Sequence, residues 1–142
     1  MSVRKADAIW QGTLKEGKGV MKFDSCEVPY TFSSRFEEAE GSNPEELIGS
    51  AIAGCFSMFL AALISGEGLT PGNVETTVEV TLEKDDIGPL ITLIKLENST
   101  NCEGLSQEKF DELVMTAKQN CPISRLYQGG TADIQLNATL KS

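Results

Sequence analysis

Four cysteines, at positions 26, 55, 102 and 121, are the residues of this sequence best equipped for covalent chemistry. Their successive separations are 29, 47 and 19 residues, so neither a zinc ribbon nor a thioredoxin-type Cys-x-x-Cys can be built from neighbours. The 142 residues include no histidine, which removes the commonest general base and the commonest metal ligand. What is left is the chemistry of sulfur itself: a nucleophilic thiolate, a disulfide, or simple packing. An even count of cysteines allows two structural disulfides. The segment Met1–Asp7 carries a basic pair without an apolar stretch behind it, so it does not read as a secretory signal, and free thiols or one reactive pair are the stronger expectation.

The four settings differ. Cys55 lies within Ala51-Ile52-Ala53-Gly54-Cys55-Phe56-Ser57-Met58, where a cysteine most often only fills space. Cys121 stands directly before Pro122, at what reads as the start of a helix, where unpaired N–H groups favour a negatively charged sulfur. On local electrostatics alone, Cys121 is the better attacker. Cys26 and Cys102 sit in polar, turn-like segments beside carboxylates and read as bystanders. Arg35, after Ser33-Ser34, is by itself an ordinary surface arginine, and Glu45 and Glu46 are explicable as complements to a helix dipole.

The elements that must position these residues follow from patterning. Residues 6–36 break into short β-stretches, with a Gly17-Lys18-Gly19 turn and Pro29 marking an edge or a strand start. Asn43 as N-cap, Pro44 at the first helical position and the glutamate pair open a helix that runs to about Ser65, with Gly66 and Gly68 as stop signals. From Ala51 to Ile64 it is apolar or small nearly all round. Such a helix is expected to be buried on most sides, under a sheet and a further helix or chain. Strict alternation from Val74 to Glu83 gives a half-buried strand, the turn at Asp85–Pro89 leads into a hairpin partner, and Ser106 caps a second helix that stops before Cys121-Pro122. A short helical turn covers Ile123–Tyr127, Gly129-Gly130 breaks it, and Ala132–Leu140 alternates as a closing strand. The order β-β-β-α-β-β-α-β reads as α+β, one domain over 1–142, with antiparallel sheets packed on a long buried central helix.

Composition limits the partners. Lys and Arg number 12 against 21 Asp and Glu, a net charge of −9, which disfavours nucleic acid and anionic membrane surfaces. Glutamates bracket the most apolar run and small polar residues interrupt it, so it reads as a core helix rather than a membrane span. A cytoplasmic protein is the expectation.

Taken together, four spaced segments resemble the OsmC/Ohr family. They are Ser34-Arg35-Phe36-Glu37, the run from Gly41 to Gly49 containing Asn43-Pro44-Glu45-Glu46-Leu47-Ile48, Ala53-Gly54-Cys55-Phe56-Ser57-Met58, and Cys121-Pro122-Ile123-Ser124. The second and third are closest to the OsmC branch, and the likeness spans essentially the whole chain. The resemblance implies a thiol-dependent hydroperoxide reductase forming an intertwined homodimer with active sites at the interface. It implies Cys55 as the peroxidatic cysteine, Cys121 as the resolving one, and Arg35 with Glu45 as the polar pair that prepares the thiolate. It implies no metal, haem or flavin, only an external dithiol such as a dihydrolipoyl group. One departure is visible: many OsmC members have a histidine three residues before the first cysteine, where this chain has Ile52.

Physical chemistry sharpens the expectation. A thiol inside an apolar helix is held protonated by burial, so a cation must approach it, and Arg35 oriented by Glu45 is the candidate. Ten helical steps separate Glu45 from Cys55, roughly 15 Å of rise at 1.5 Å per residue, so Glu45 is expected to serve the Cys55 of a second chain. Phe56, Met58 and Phe59 are expected to line an apolar substrate pocket. The competing expectation is a non-enzymatic, apolar-ligand-binding dimer whose cysteines are structural.

Overall fold

The computed structural model describes residues 1–142, in two compact units, Met1–Leu47 and Ile48–Ser142. The first holds an antiparallel meander of β1 (Asp7–Gln11), β2 (Lys18–Phe23) and β3 (Cys26–Tyr30). Gly19 on β2 faces Trp10 on one side and Tyr30 on the other, whose rings stand 5.4 Å apart. A Cβ at that position would come within 2.5 Å of the Tyr30 ring, so only glycine lets the two aromatics close over the strand.

After β3 the chain does not continue as sheet. It turns into a short helix, α1 (Phe32–Phe36), which carries Arg35. The cause is a reciprocal cap: Thr31 Oγ1 accepts from Ser34 N at 3.0 Å, and Ser34 Oγ accepts from Thr31 N at 2.9 Å. A serine thus stands where a capping box usually has Glu or Gln, which hides the motif in the sequence.

The long helix α2 (Pro44–Gly66) starts at the predicted place. Asn43 Oδ1 accepts from Glu46 N at 2.8 Å, and Ser42 Oγ donates to Glu46 Oε2 at 2.7 Å. Within the second unit, α2 buries one stripe completely, Ile52, Phe56, Leu60 and Ile64, each one helical turn from the last. Burial on most sides, expected from its composition, is not what the chain shows: Met58 is 79% exposed and Ser50, Ala51, Gly54 and Ala62 also face outward. By length and composition α2 could cross a bilayer, but its buried stripe belongs to a protein core shared with the sheet and with helix α3 (Gln107–Asn120).

The second sheet contains β4 (Val74–Lys84), β5 (Pro89–Asn101) and β6 (Asp133–Lys141), with β5 in the middle. The hairpin of β4 and β5 is antiparallel, whereas β6 runs parallel to β5, so the sheet is mixed and the expectation of purely antiparallel sheets is corrected here. Parallel neighbours need a crossover, and the chain supplies one as α3 and the six-residue helix α4 (Pro122–Tyr127). The buried positions of α3, Phe110, Leu113, Val114 and Ala117, follow the predicted spacing. Its N-cap, Ser106, accepts from Lys109 N at 3.2 Å. Ser106→Ala is expected to lower stability by about 1 kcal/mol, read as a lower midpoint of urea unfolding with an unchanged slope.

Candidate active site

Two pairs of the predicted site residues come together, one in each unit. In the first unit, Arg35 on α1 grips Glu45 in the first turn of α2. Nη2 lies 2.7 Å from Oε1, and Nε lies 3.2 and 3.3 Å from the two carboxylate oxygens. The Glu45 side chain is only 11% exposed, so its charge is compensated by a fork that holds both oxygens rather than by water. The pair is braced locally. Ser34 Oγ donates to Ser42 O at 2.7 Å, Asn43 Nδ2 donates to Ser34 O at 3.3 Å, and the guanidinium lies 5.0 Å from the Phe36 ring centre. Nε and Nη2 face the carboxylate, which leaves Nη1 with its two donors for another anionic or polar group.

In the second unit, Cys55 on α2 and Cys121, the residue between α3 and α4, lie close enough for Cys121 to act on the Cys55 thiol, and both thiols are free. Cys121 is fully buried and Cys55 half-buried. Cys121 caps α4: its Sγ accepts from Ser124 N at 3.4 Å and lies 3.0 Å from Ser124 Oγ, itself fully buried. Burial pushes the Cys55 thiol above the ordinary cysteine value, and the hydrogen bond and charge of Cys121 push it the same way. The Ile123 backbone pulls it back.

Sequence reasoning did not single out Ser124 or Tyr127. Tyr127 Oη donates to Ile48 O at 3.2 Å and so ties α4 to α2, and its phenol is pushed up by burial and then by the charge of Cys55. The Ser124 contact was legible in principle, since a polar residue three positions after an N-cap is the spacing of a capping box. Tyr127 offered no local signal, because its partner is 79 residues away.

Two expectations need correction. Phe56, Met58 and Phe59 do not share a pocket: Phe56 is fully buried in the core and Met58 faces outward, since positions two apart on a helix point about 200° apart. Cys102, read as lying in a polar turn, is buried and joins the core, its Sγ 3.5 Å from Thr70 O, whereas Cys26 is exposed. No group of His, Cys, Asp or Glu is arranged to hold a metal.

Known proteins repeat this arrangement of chain. The family model for OsmC-like protein matches residues 37–137. Peroxiredoxin OsmC of Escherichia coli K12 is 41% identical over 142 residues, covering 98% of this chain and 97% of that protein. Organic hydroperoxide resistance protein OhrB of Bacillus subtilis is 28% identical over 126 residues, covering 88% and 87% of the two chains. Among solved structures, the OsmC-like protein from Mycoplasma pneumoniae superposes with a TM-score of 0.80 over 99% of both chains at 17% identity, a likeness of fold. Full-length identity to a named relative, a family match over most of the sequence and a shared fold place the chain in the OsmC family.

Proposed function

We propose that this protein is a cysteine-based peroxidase that reduces organic hydroperoxides to alcohols, and hydrogen peroxide less well. The observation that carries the reading is the pairing of two free thiols, Cys55 and Cys121, across 66 residues of sequence. The likeness to the Escherichia coli peroxiredoxin and the Bacillus subtilis organic hydroperoxide resistance protein supports it.

The Cys55 thiolate attacks the distal oxygen of the hydroperoxide. The O–O bond breaks, the alkoxide leaves and takes a proton, and Cys55 becomes a sulfenic acid. The Cys121 sulfur then attacks the Cys55 sulfur and water is lost as the disulfide forms. An external dithiol, such as a dihydrolipoyl group, returns both cysteines to thiols. No metal, haem or flavin takes part.

The thiolate needs a cation, and Arg35 held by Glu45 supplies it together with N–H groups able to stabilise the leaving alkoxide. The ten helical steps between Glu45 and Cys55 support a pairing with the Cys55 of a second copy, in a homodimer with shared sites. A second chain would also cover the small and apolar residues that α2 leaves exposed. A reducing cytoplasm suits four free cysteines.

Steady-state assays with tert-butyl hydroperoxide, cumene hydroperoxide and hydrogen peroxide, each with a dihydrolipoyl and a monothiol reductant, test the reading. Faster turnover of the organic peroxides with the dithiol is expected, and no turnover with any pair refutes it. Cys121→Ser is expected to form no intramolecular disulfide, so that one equivalent of hydroperoxide given without reductant leaves a Cys55 sulfenic acid that dimedone traps for mass spectrometry.

A further inference from the structure

The two sulfurs of the proposed disulfide are not equivalent. Cys121 is fully buried, whereas Cys55 is half-buried. Cys121 Sγ sits 3.4 Å from the Ser124 N–H and 3.0 Å from the Ser124 hydroxyl. In the reduced protein the Cys121 S–H donates to Ser124 Oγ. A hydroxyl can rotate to donate instead once that sulfur becomes an anion. Thiol–disulfide exchange depends on which sulfur can be reached and on how well the departing sulfur carries its charge.

We propose that the external dithiol attacks Cys55 Sγ, with Cys121 leaving as the thiolate, and that Ser124 is the positioning residue that holds the departing sulfur. The proposal rests on the peroxidase reading and adds the direction of its reductive half. The incoming thiolate forms a bond to Cys55 Sγ, and the S–S electron pair goes to Cys121 Sγ. There it meets two donors already in place, the Ser124 backbone N–H and the Ser124 O–H. The second thiol of the reductant then closes onto its own sulfur, releasing Cys55 and carrying away the oxidation as a cyclic disulfide. Ser124 does not touch the hydroperoxide. Its loss therefore slows the steps in which Cys121 carries the charge and spares the attack of Cys55 on the peroxide.

The test uses protein oxidised with diamide, so that it does not depend on peroxide turnover. A limited pulse of 2-mercaptoethanol, which cannot close a ring, is quenched with acid, and free thiols are alkylated before peptide mapping. The expected product carries the mercaptoethanol adduct on Cys55 and the alkyl group on Cys121, and the reverse labelling overturns the proposal. Ser124→Ala is expected to slow reduction of the diamide-formed disulfide about tenfold, because a hydrogen bond to a charged group is lost. Oxidation of Cys55 in a single turnover stays within about twofold, and Ser124→Thr restores much of the reductive rate. Equal slowing of Cys55 oxidation and of disulfide reduction, or of neither, removes Ser124 from the role. If diamide forms no Cys55–Cys121 bond, the peroxidase reading falls along with this one, whereas an adduct on Cys121 refutes this one alone.

Discussion

Cys55→Ser is expected to reduce hydroperoxide consumption to the uncatalysed background with every peroxide and every reductant. A serine hydroxyl does not ionise near neutral pH and cannot accept the peroxide oxygen to form a sulfenic acid, so nothing in the chain substitutes for the lost sulfur. Cys121 and Cys102 are buried, and Cys26 is exposed outside the unit that holds Cys121. The fold is expected to survive, because one sulfur becomes one oxygen at a half-buried position while the core stripe of α2 is untouched. Circular dichroism and the urea midpoint check this. A second readout comes from Tyr127, one of only two tyrosines, whose phenol is raised first by burial and then by the charge of Cys55. With serine at 55 the second contribution disappears and the first remains. Ultraviolet titration is therefore expected to show Tyr127 ionising at lower pH than in the unaltered protein, yet still above the ordinary tyrosine value. Peroxidase activity that persists in Cys55→Ser overturns the assignment of the attacking residue.

What the sequence made legible was local. The cap at Asn43, the proline after it and the glutamate pair announced the start of α2, and the spacing Phe110, Leu113, Val114 and Ala117 announced α3. These signals depend on residues within one or two turns of each other. The direction of β6 was not local: period-2 alternation says which face is buried but not which way the neighbour runs, and the crossover through α3 and α4 decided it. Helix α1 escaped notice because Ser34 replaces the usual Glu or Gln of its cap. The proposed site residues show the same division. Arg35 and Glu45 look like surface residues until the α1 turn and the start of α2 bring them to 2.7 Å, and Cys55 looks like core filler until Cys121 stands beside it. Local electrostatics favoured Cys121 as the attacker; only the family resemblance pointed to Cys55. Burial then supplies a physical reason to agree, since a fully enclosed Cys121 is poorly placed to meet a substrate from solution while a half-buried Cys55 is not.

Arg35→Ala is expected to cut turnover at pH 7 by about a hundredfold and to change its pH dependence. Burial and the neighbouring Cys121 hold the Cys55 thiol above the ordinary cysteine value of about 8.5, so without a cation no more than about three molecules in a hundred carry the thiolate at pH 7. The sign follows from the nucleophile being the deprotonated form. In the variant the rate rises about tenfold per pH unit from 7 towards 9, whereas in the unaltered protein, with the guanidinium in place, it is much flatter. The deficit therefore narrows as pH rises. A deficit of the same size at every pH would mean that Arg35 acts on the peroxide and not on the sulfur. Removing the arginine also leaves the Glu45 carboxylate buried without its partner, which is destabilising by itself. Arg35→Ala combined with Glu45→Gln removes that complication, and Arg35→Lys, which keeps the charge but loses the fork, is expected to fall between. Mixing completes the argument. If the Arg35–Glu45 pair serves the partner chain, equal amounts of Arg35→Ala and Cys55→Ser, unfolded and refolded together, form mixed dimers with one intact site each and recover about a quarter of full activity. If the pair serves the cysteine of its own chain, every site in the mixture lacks one essential group, and the activity stays at the level of Arg35→Ala alone.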